Sequence, residues 1–261
     1  MNNHEIDYKI FGEEMQCVEI ELDPQESVIS EPGSFMMMTD GIQMQTMFGD
    51  GNETGGIMGK IFSAGKRLLT GENLFMTLYT NQSQQKRHVT FAAPYSGKII
   101  ALDLKQLGGK VICQKDSFLC AAKGVSVGIE FQKKLGTGLF GGEGFVMQKL
   151  EGDGMTFVHS GGHVIEKELQ AGEVLKIDTG CIVAFTQNVD YDIQFVGGIK
   201  NTIFGGEGLF FAQLRGPGKV WIQTLPISRL ASRILSYGSS VGGRKEEGSI
   251  LGGLGNLLDG N

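Results

Sequence analysis

Hydrophobic and polar residues alternate along several short segments of this chain. The alternation is clear over residues 18–22, at every second position from Val125 to Phe131, and at Met155 and Phe157. A period of two is typical of half-buried β-strands. Pairs of glycines interrupt these segments at 55–56, 108–109, 141–142, 161–162, 197–198 and 205–206. The pattern therefore predicts an all-β protein built from short strands and glycine-rich turns.

A helical period appears only near the end of the chain. One apolar face is formed by Ile227, Leu230, Ile234 and Leu235. Ser228 is a candidate N-cap, and Gly238 lies just past the last apolar residue. The sequence predicts one amphipathic helix over residues 227–237. Residues 238–261 are predicted to be a flexible Gly-rich tail, with an apolar docking segment as the alternative.

Two motifs recur in three copies. A Gly-Glu pair precedes apolar residues at 71–72, 142–143 and 206–207, and an apolar stretch begins at Ser34, Ser117 and Cys181. Between the second and third copies both motifs shift by the same number of positions, from 142 to 206 and from 117 to 181. Between the first and second copies the two shifts differ, from 71 to 142 and from 34 to 117. The first copy therefore carries an inserted loop, which the glycine-rich residues 49–59 fit, and we infer a threefold internal repeat.

The repeat predicts the domain organisation. Units of this length cannot each close a good core alone. We expect repeats over about residues 5–95, 96–160 and 161–226, packed with pseudo-threefold symmetry into a single compact β domain. With the terminal helix, this domain covers residues 1–237.

Composition narrows the classes of function. Glycine contributes 41 of 261 residues, and the net charge is −6 with a pI near 5.3. An acidic chain lacks the clustered cations of a nucleic-acid surface. Residues 1–7 lack the basic and apolar regions of a secretory signal, so we expect none, and the apolar runs are far shorter than the ~20 residues of a membrane span. Four cysteines without a CxxC spacing favour reduced thiols, so we expect a cytoplasmic protein without nucleic-acid partners or a transmembrane segment.

A candidate metal site lies at His159, His163 and Glu166. If residues 160–162 form a hairpin turn, the two imidazoles face one another across it. Two imidazoles and a carboxylate suit a divalent transition metal. The alternative is that these are solvated turn residues, and we expect no cofactor.

The three repeated glutamates, Glu72, Glu143 and Glu207, have two interpretations. They cap backbone amides or pair with nearby cations, or they form three symmetric anionic ligands around an axis. A phosphate-binding loop is disfavoured, because no Gly-Lys-Ser/Thr follows and no helix opens after it.

The inserted loop supplies a candidate interaction surface, at Ile57, Met58, Ile61 and Phe62. A cluster of methionines extends from the preceding strands into this loop, at Met36, Met37, Met38, Met44, Met47 and Met58. Methionine adapts to irregular gaps in cores and also to binding surfaces, so both interpretations stay open.

The motifs also carry a family resemblance. Residues 68–75, 204–210 and above all 215–226, which read Arg-Gly-Pro-Gly-Lys-Val-Trp-Ile-Gln-Thr-Leu-Pro, resemble an uncharacterised bacterial family. Its eukaryotic relatives are the mitochondrial biogenesis proteins named for altered inheritance of mitochondria. The resemblance spans roughly residues 5–237. It implies three repeats similar to the tryptophan RNA-binding attenuator protein (TRAP-like), a β-sandwich related to double-stranded β-helices.

No catalytic residue follows from this resemblance, because none is established for the family. The mitochondrial members are associated with inner-membrane organisation, which transfers to this chain only as an analogy. We therefore expect a non-enzymatic scaffold or protein-binding module that forms a homo-oligomer with an unknown protein partner. The alternatives are a small-ligand or metal-binding module and a peripheral membrane-associated organiser.

Overall fold

The computed structural model describes residues 3–48, 75–133, 145–195 and 210–241. These residues form nineteen strands, two 3-10 turns and one α-helix, so the prediction of an all-β fold with a C-terminal helix is confirmed. In chain order the strands are β1 (Asp7–Phe11), β2 (Cys17–Leu22), β3 (Ser27–Ser30), β4 (Phe35–Met38), β5 (Ile42–Phe48), β6 (Phe75–Asn81), β7 (Arg87–Ala92), β8 (Gly97–Asp103), β9 (Lys110–Gln114), β10 (Phe118–Ala122), β11 (Ser126–Lys133), β12 (Phe145–Glu151), β13 (Met155–Gly161), β14 (Val164–Leu169), β15 (Val174–Asp178), β16 (Ile182–Thr186), β17 (Asp190–Phe195), β18 (Phe210–Arg215) and β19 (Gly218–Gln223).

The helix, α1, spans Ile227–Val241. It therefore runs past the predicted end at residue 237 and includes Gly238. Glycine within a helix costs about 1 kcal/mol relative to alanine but does not by itself end the helix. The strands belong to one compact unit that ends at Ile227, and residues from Ser228 onward belong to a second.

One pairing pattern recurs three times among the strands after β1. The three sets are β2–β7, β8–β13 and β14–β19, which we call the first, second and third repeat. Within each repeat the first and third strands pair with the sixth, and the second and fourth pair with the fifth, always antiparallel.

Two junctions join successive repeats through backbone hydrogen bonds. The third strand of the second repeat, β10, pairs with β3 of the first, and β16 of the third repeat pairs with β9 of the second. Each junction makes a six-stranded sheet, in the orders β5-β6-β3-β10-β13-β8 and β11-β12-β9-β16-β19-β14. Two smaller sheets remain at the ends of the series, β1-β2-β7-β4 and β15-β18-β17.

Apolar side chains fill the space between successive sheets. One cluster packs Val18 and Phe91 against Leu119 and Phe157, and the next two repeat this arrangement further along the series. The central strands of the six-stranded sheets are therefore covered on both faces, which explains why β10 and β16 are buried along their whole length. In the four-stranded sheet at one end of the series, β2 instead alternates between buried and half-buried residues.

A third junction, between β4 and β15, is not formed within the chain. Closed packing of three repeats about an axis would require it, because β4 matches β10 and β16 while β15 matches β3 and β9. Both strands instead lie at the edges of their sheets.

Candidate functional site

Seven of the candidate residues predicted from the sequence lie outside the described residues. They are the repeated glutamates Glu72, Glu143 and Glu207 and the loop residues Ile57, Met58, Ile61 and Phe62. Their roles stay predictions.

The structure does not bring His159, His163 and Glu166 together. Ser160 and Gly161 belong to strand β13 and do not form a hairpin turn. The strands β13 and β14 lie in different sheets, so they do not pair with one another. His159 is buried, whereas His163 and Glu166 are exposed. Over the described ranges, no group of three His, Cys, Asp or Glu side chains is arranged to hold a metal ion.

Glu166 instead ties β14 to β19. Its carboxylate accepts hydrogen bonds from Lys219 Nζ at 2.8 Å and from Trp221 Nε1 at 3.0 Å. The bond from Lys219, with a smaller one from Trp221, lowers the pKa of Glu166 despite an opposing effect of burial. This carboxylate is therefore engaged in holding two strands together.

His159 lines a cavity of about 460 Å³ at the junction of the first two repeats. The side chain is only 1% exposed, and neither ring nitrogen makes a hydrogen bond of normal geometry with the described residues, although the backbone of Tyr95 lies close enough to the ring to favour its protonated form. Its ring packs edge-on against Tyr95, with centroids 4.5 Å apart. The other lining residues are Glu31, Pro32, Gly33, Ser34, Pro94, Asp116, Phe118, Leu119 and Ile227.

Two glycines allow this close arrangement around the cavity. A Cβ atom on Gly97 would lie 1.7 Å from the carbonyl oxygen of Ser160 and 2.9 Å from His159 Nε2. A Cβ atom on Gly161 would lie 1.9 Å from the carbonyl oxygen of Leu225 and 3.1 Å from the Tyr95 ring. Any larger residue at either position would force the backbone apart.

Burial shifts the titration of three groups at the cavity. It lowers the pKa of His159 to about 4, and the backbone of Tyr95 offsets only part of this effect. Burial, with a smaller contribution from Asp116, raises the pKa of Glu31 to about 7, while Lys115 opposes the shift. Burial also raises the pKa of Tyr95 to about 12. At neutral pH the imidazole and phenol are uncharged, and Glu31 is close to half ionised.

Sequence reasoning found His159 but gave it the wrong neighbours. Glu31, Tyr95 and Asp116 lie far from it along the chain, and only the sheet order makes them neighbours. The repeat does carry one signal for these neighbours. The shifts between copies of the motifs place Glu31 at the position of Gln114 and His159 at the position of Gln223, so two residues that meet in one junction match two that meet in the other.

The edge strand β4, which pairs only with β7 among the described strands, forms a second candidate site. Its side chains are apolar and 39–54% exposed, whereas the first two residues of the matching strand β10 are 4% and 2% exposed. At the other end of the series, Val174 of β15 is 42% exposed. Among the described strands, none covers the outer edge of either β4 or β15, although both carry exposed apolar side chains.

The methionine cluster divides between surface and core. Met36, Met37, Met38 and Met44 are exposed, Met47 is buried, and Met58 lies outside the described residues. Three of the four exposed methionines belong to β4, so this strand has the composition of an adaptable contact surface.

Helix α1 exposes Ile234, Leu235 and Tyr237. Within the described part of the chain, no helix has the length and apolarity to cross a membrane. Peripheral membrane contact through α1 stays a prediction.

These observations define a class of β-proteins in which six-stranded repeats join in series and leave a half-sheet at each end. The family described as "Mitochondrial biogenesis AIM24" matches residues 8–225. The chain belongs to this family, as the motifs around Trp221 indicated.

Two streptococcal proteins are similar to this chain. An uncharacterised protein of Streptococcus pyogenes serotype M6 is 31% identical over 223 residues, which cover 84% of this chain and 86% of that protein. The crystal structure of another Streptococcus pyogenes protein has a TM-score of 0.70 at 24% identity, and the match covers 89% of this chain and 100% of that one. The second likeness bears on the fold alone.

Proposed function

We propose that this chain is a non-enzymatic scaffold that binds further copies of itself through β4 and β15. One observation carries the proposal. Each of the two small sheets has the strand order of one half of a six-stranded sheet, and the other small sheet has the order of the other half.

The order of strands supports this complementarity. Each six-stranded sheet joins the fourth, fifth and second strands of one repeat to the third, sixth and first strands of the next. The sheet β17-β18-β15 has the first half of this order, and β4-β7-β2 has the second half. Pairing β15 with β4 would therefore rebuild the same sheet, with β1 added at its edge.

The internal junctions also supply the register. At the two junctions within the chain, Cys120 lies opposite Ser30 and Ala184 lies opposite Cys113. The shifts that relate the repeats place Met37 at the position of Cys120 and Ile177 at the position of Cys113. In a β4–β15 pair with the same register, Met37 of one copy would therefore lie opposite Ile177 of the next. The same shifts place Met38 opposite Lys176.

A second copy is the occupant that fits these edges. Over the described residues of one chain β4 and β15 are both edge strands, which leaves each able to pair with another molecule. An uncovered apolar edge strand is a ready template for pairing with another chain. Because β4 and β15 are different surfaces, the copies would join head to tail.

The proposal includes a cytoplasmic location, which the cysteines support. Cys113 and Cys120 are fully buried, and burial raises the pKa of both thiols. Such thiols pack as small apolar groups, as in proteins of reducing compartments.

Cross-linking tests the register directly. One preparation carries Met37→Cys and another carries Ile177→Cys, and the two are mixed under mild oxidation. We expect a disulfide-linked pair of chains in this mixture, because matched strands bring the Cβ atoms within bonding distance. Native mass spectrometry of the parent chain should give multiples of 28.2 kDa.

The control pairs Met37→Cys with Val174→Cys, which lies out of register with it, and should not cross-link. The unsubstituted chain controls for its native cysteines. A parent chain found only at the monomer mass, or cross-linking that ignores register, would contradict the proposal.

A further inference from the structure

The buried imidazole of His159 has a counterpart in the third repeat whose hydrogen bonds are complete. Val158 pairs with Phe118 and Ile222 pairs with Ile182, so His159 and Gln223 occupy the same position in β13 and β19. Gln223 Nε2 donates to the carbonyl oxygen of Gly180 at 2.8 Å and lies 3.5 Å from Gln114 Oε1. Its Oε1 accepts from the backbone N–H of Gly161 at 2.7 Å.

The residues that match those partners surround His159 but do not bond to it. The shift between the second and third repeats places Asp116 at the position of Gly180 and Gly97 at that of Gly161. The shift between the first and second repeats places Glu31 at the position of Gln114. The N–H of Gly97 donates instead to the carbonyl oxygen of Glu14 at 2.7 Å. The second junction is thus filled by its own side chains, whereas the first leaves a cavity beside an unsatisfied imidazole.

An unsatisfied buried polar group is rare and calls for a specific explanation. A cavity of about 460 Å³ is within the usual range for small-molecule sites. Its wall combines apolar side chains, among them Phe118 and Leu119, with a few convergent polar groups. That combination is typical of a binding site for a small organic molecule.

The charges on the wall indicate the sign of the ligand. Glu31 and Asp116 both line the cavity, and none of its described lining residues is a lysine or arginine, although Lys115, the chain neighbour of Asp116, interacts with Glu31. The described His, Cys, Asp and Glu side chains do not gather closely enough to hold a metal ion. The ring of Tyr95 adds an electron-rich face, which attracts organic cations.

We propose that the cavity beside His159 binds a small organic ammonium ion. The ammonium N–H groups donate to the Glu31 carboxylate and to the unprotonated nitrogen of His159, while the carbon part packs against Phe118 and Leu119. The site lies at a junction inside one chain, so it does not depend on self-assembly.

The test uses benzylammonium as the probe, because it joins an ammonium group to an apolar ring. The chain has four histidines, so ¹⁵N-labelled imidazoles give a small set of assignable NMR signals. We expect saturable shifts at His159 and none at the exposed His163. Benzyl alcohol has nearly the same shape without the charge and should leave His159 unchanged.

Variants that copy the side chains of the second junction distinguish a loss of binding from a loss of folding. Glu31→Gln should weaken benzylammonium binding by roughly tenfold or more, through loss of a charge-assisted hydrogen bond. The double variant Glu31→Gln/His159→Gln restores the Gln–Gln pair of the second junction, so it should remain folded and not bind. Glu13→Gln, which changes an exposed carboxyl group, is the matched control.

Three results would overturn the inference. They are an unchanged His159 signal at millimolar benzylammonium, equal binding of benzyl alcohol, and full binding by Glu31→Gln.

Discussion

His159 shows how one residue can make the stability of the fold depend on pH. The imidazole has a pKa of about 4 in the folded chain, against 6.5 for an unperturbed histidine. As the pH falls below 6.5, the unfolded chain takes up this proton first. Stability from the neutral imidazole is therefore present above pH 6.5 and is lost as the pH approaches 4.

The prediction at the residue scale compares the parent chain with His159→Gln. Between pH 7.5 and 4.5 the parent should lose about 2–3 kcal/mol more unfolding free energy than the variant, because glutamine does not titrate. Urea unfolding at the two pH values measures this difference. His163→Gln should behave like the parent, and equal pH dependence of the parent and His159→Gln would refute the assignment.

At the scale of the element, single polar side chains fix how strands turn between sheets. Asn81, at the end of β6, is fully buried. Its Nδ2 donates to the carbonyl oxygens of Leu22 at 2.9 Å and Gln85 at 2.7 Å, and its Oδ1 accepts from the N–H of Ser83 at 2.9 Å. One side chain thereby shapes the β6–β7 turn and ties it to β2 in the next sheet.

We expect Asn81→Ala to lower the unfolding free energy by about 2–4 kcal/mol, since it leaves the buried carbonyl oxygen of Leu22 without this donor and removes the acceptor of the Ser83 N–H. The carbonyl oxygen of Gln85 keeps its hydrogen bond from Ser83 Oγ. Chemical denaturation measures the change. Ser83→Ala removes the hydroxyl that donates to Asn81 Oδ1 and to the carbonyl oxygen of Gln85. It is expected to cost about 1 kcal/mol or less, because the Gln85 end of the turn is exposed to water and Asn81 Oδ1 keeps the Ser83 N–H. Similar losses for the two variants would mean that Asn81 does not organise the turn.

At the scale of the whole molecule, stability and self-assembly should be linked. If copies pair through β4 and β15, the assembled form is favoured by mass action. The midpoint of thermal unfolding, Tm, should then rise by a few degrees for each tenfold increase in protein concentration, because a tenfold change is worth about 1.4 kcal/mol.

Met37→Lys should remove this concentration dependence, because it places a charge in the proposed junction. Met37 is 50% exposed in the single chain, so the lysine has access to water there. Met44→Lys is the control, because it changes a similarly exposed methionine on β5. The strands that match β5 in the other repeats, β11 and β17, are also at sheet edges, so this strand position takes no part in the junctions between repeats. A Tm that does not vary with concentration in the parent, or that still varies in Met37→Lys, would count against assembly through β4.

The sequence predicted the all-β class and the repetition of its motifs, because side-chain alternation and turn residues are local signals. It also identified the family, and it placed the amphipathic helix to within a few residues. The equal shift of both motifs, from Ser117 to Cys181 and from Gly142 to Gly206, needed no structure to detect.

Only the tertiary structure decided which strands are covered and which side chains meet. Residues 35–38 and 118–122 are both apolar stretches, yet β4 is exposed and β10 is buried. The reason is that β10 pairs with β3 of the previous repeat as well as with β13, whereas β4 pairs with β7 alone among the described strands. His159 likewise lies close to His163 along the chain but meets Glu31 and Tyr95 at the cavity. Long-range pairing of strands sets these contacts, and local pattern carries no information about it.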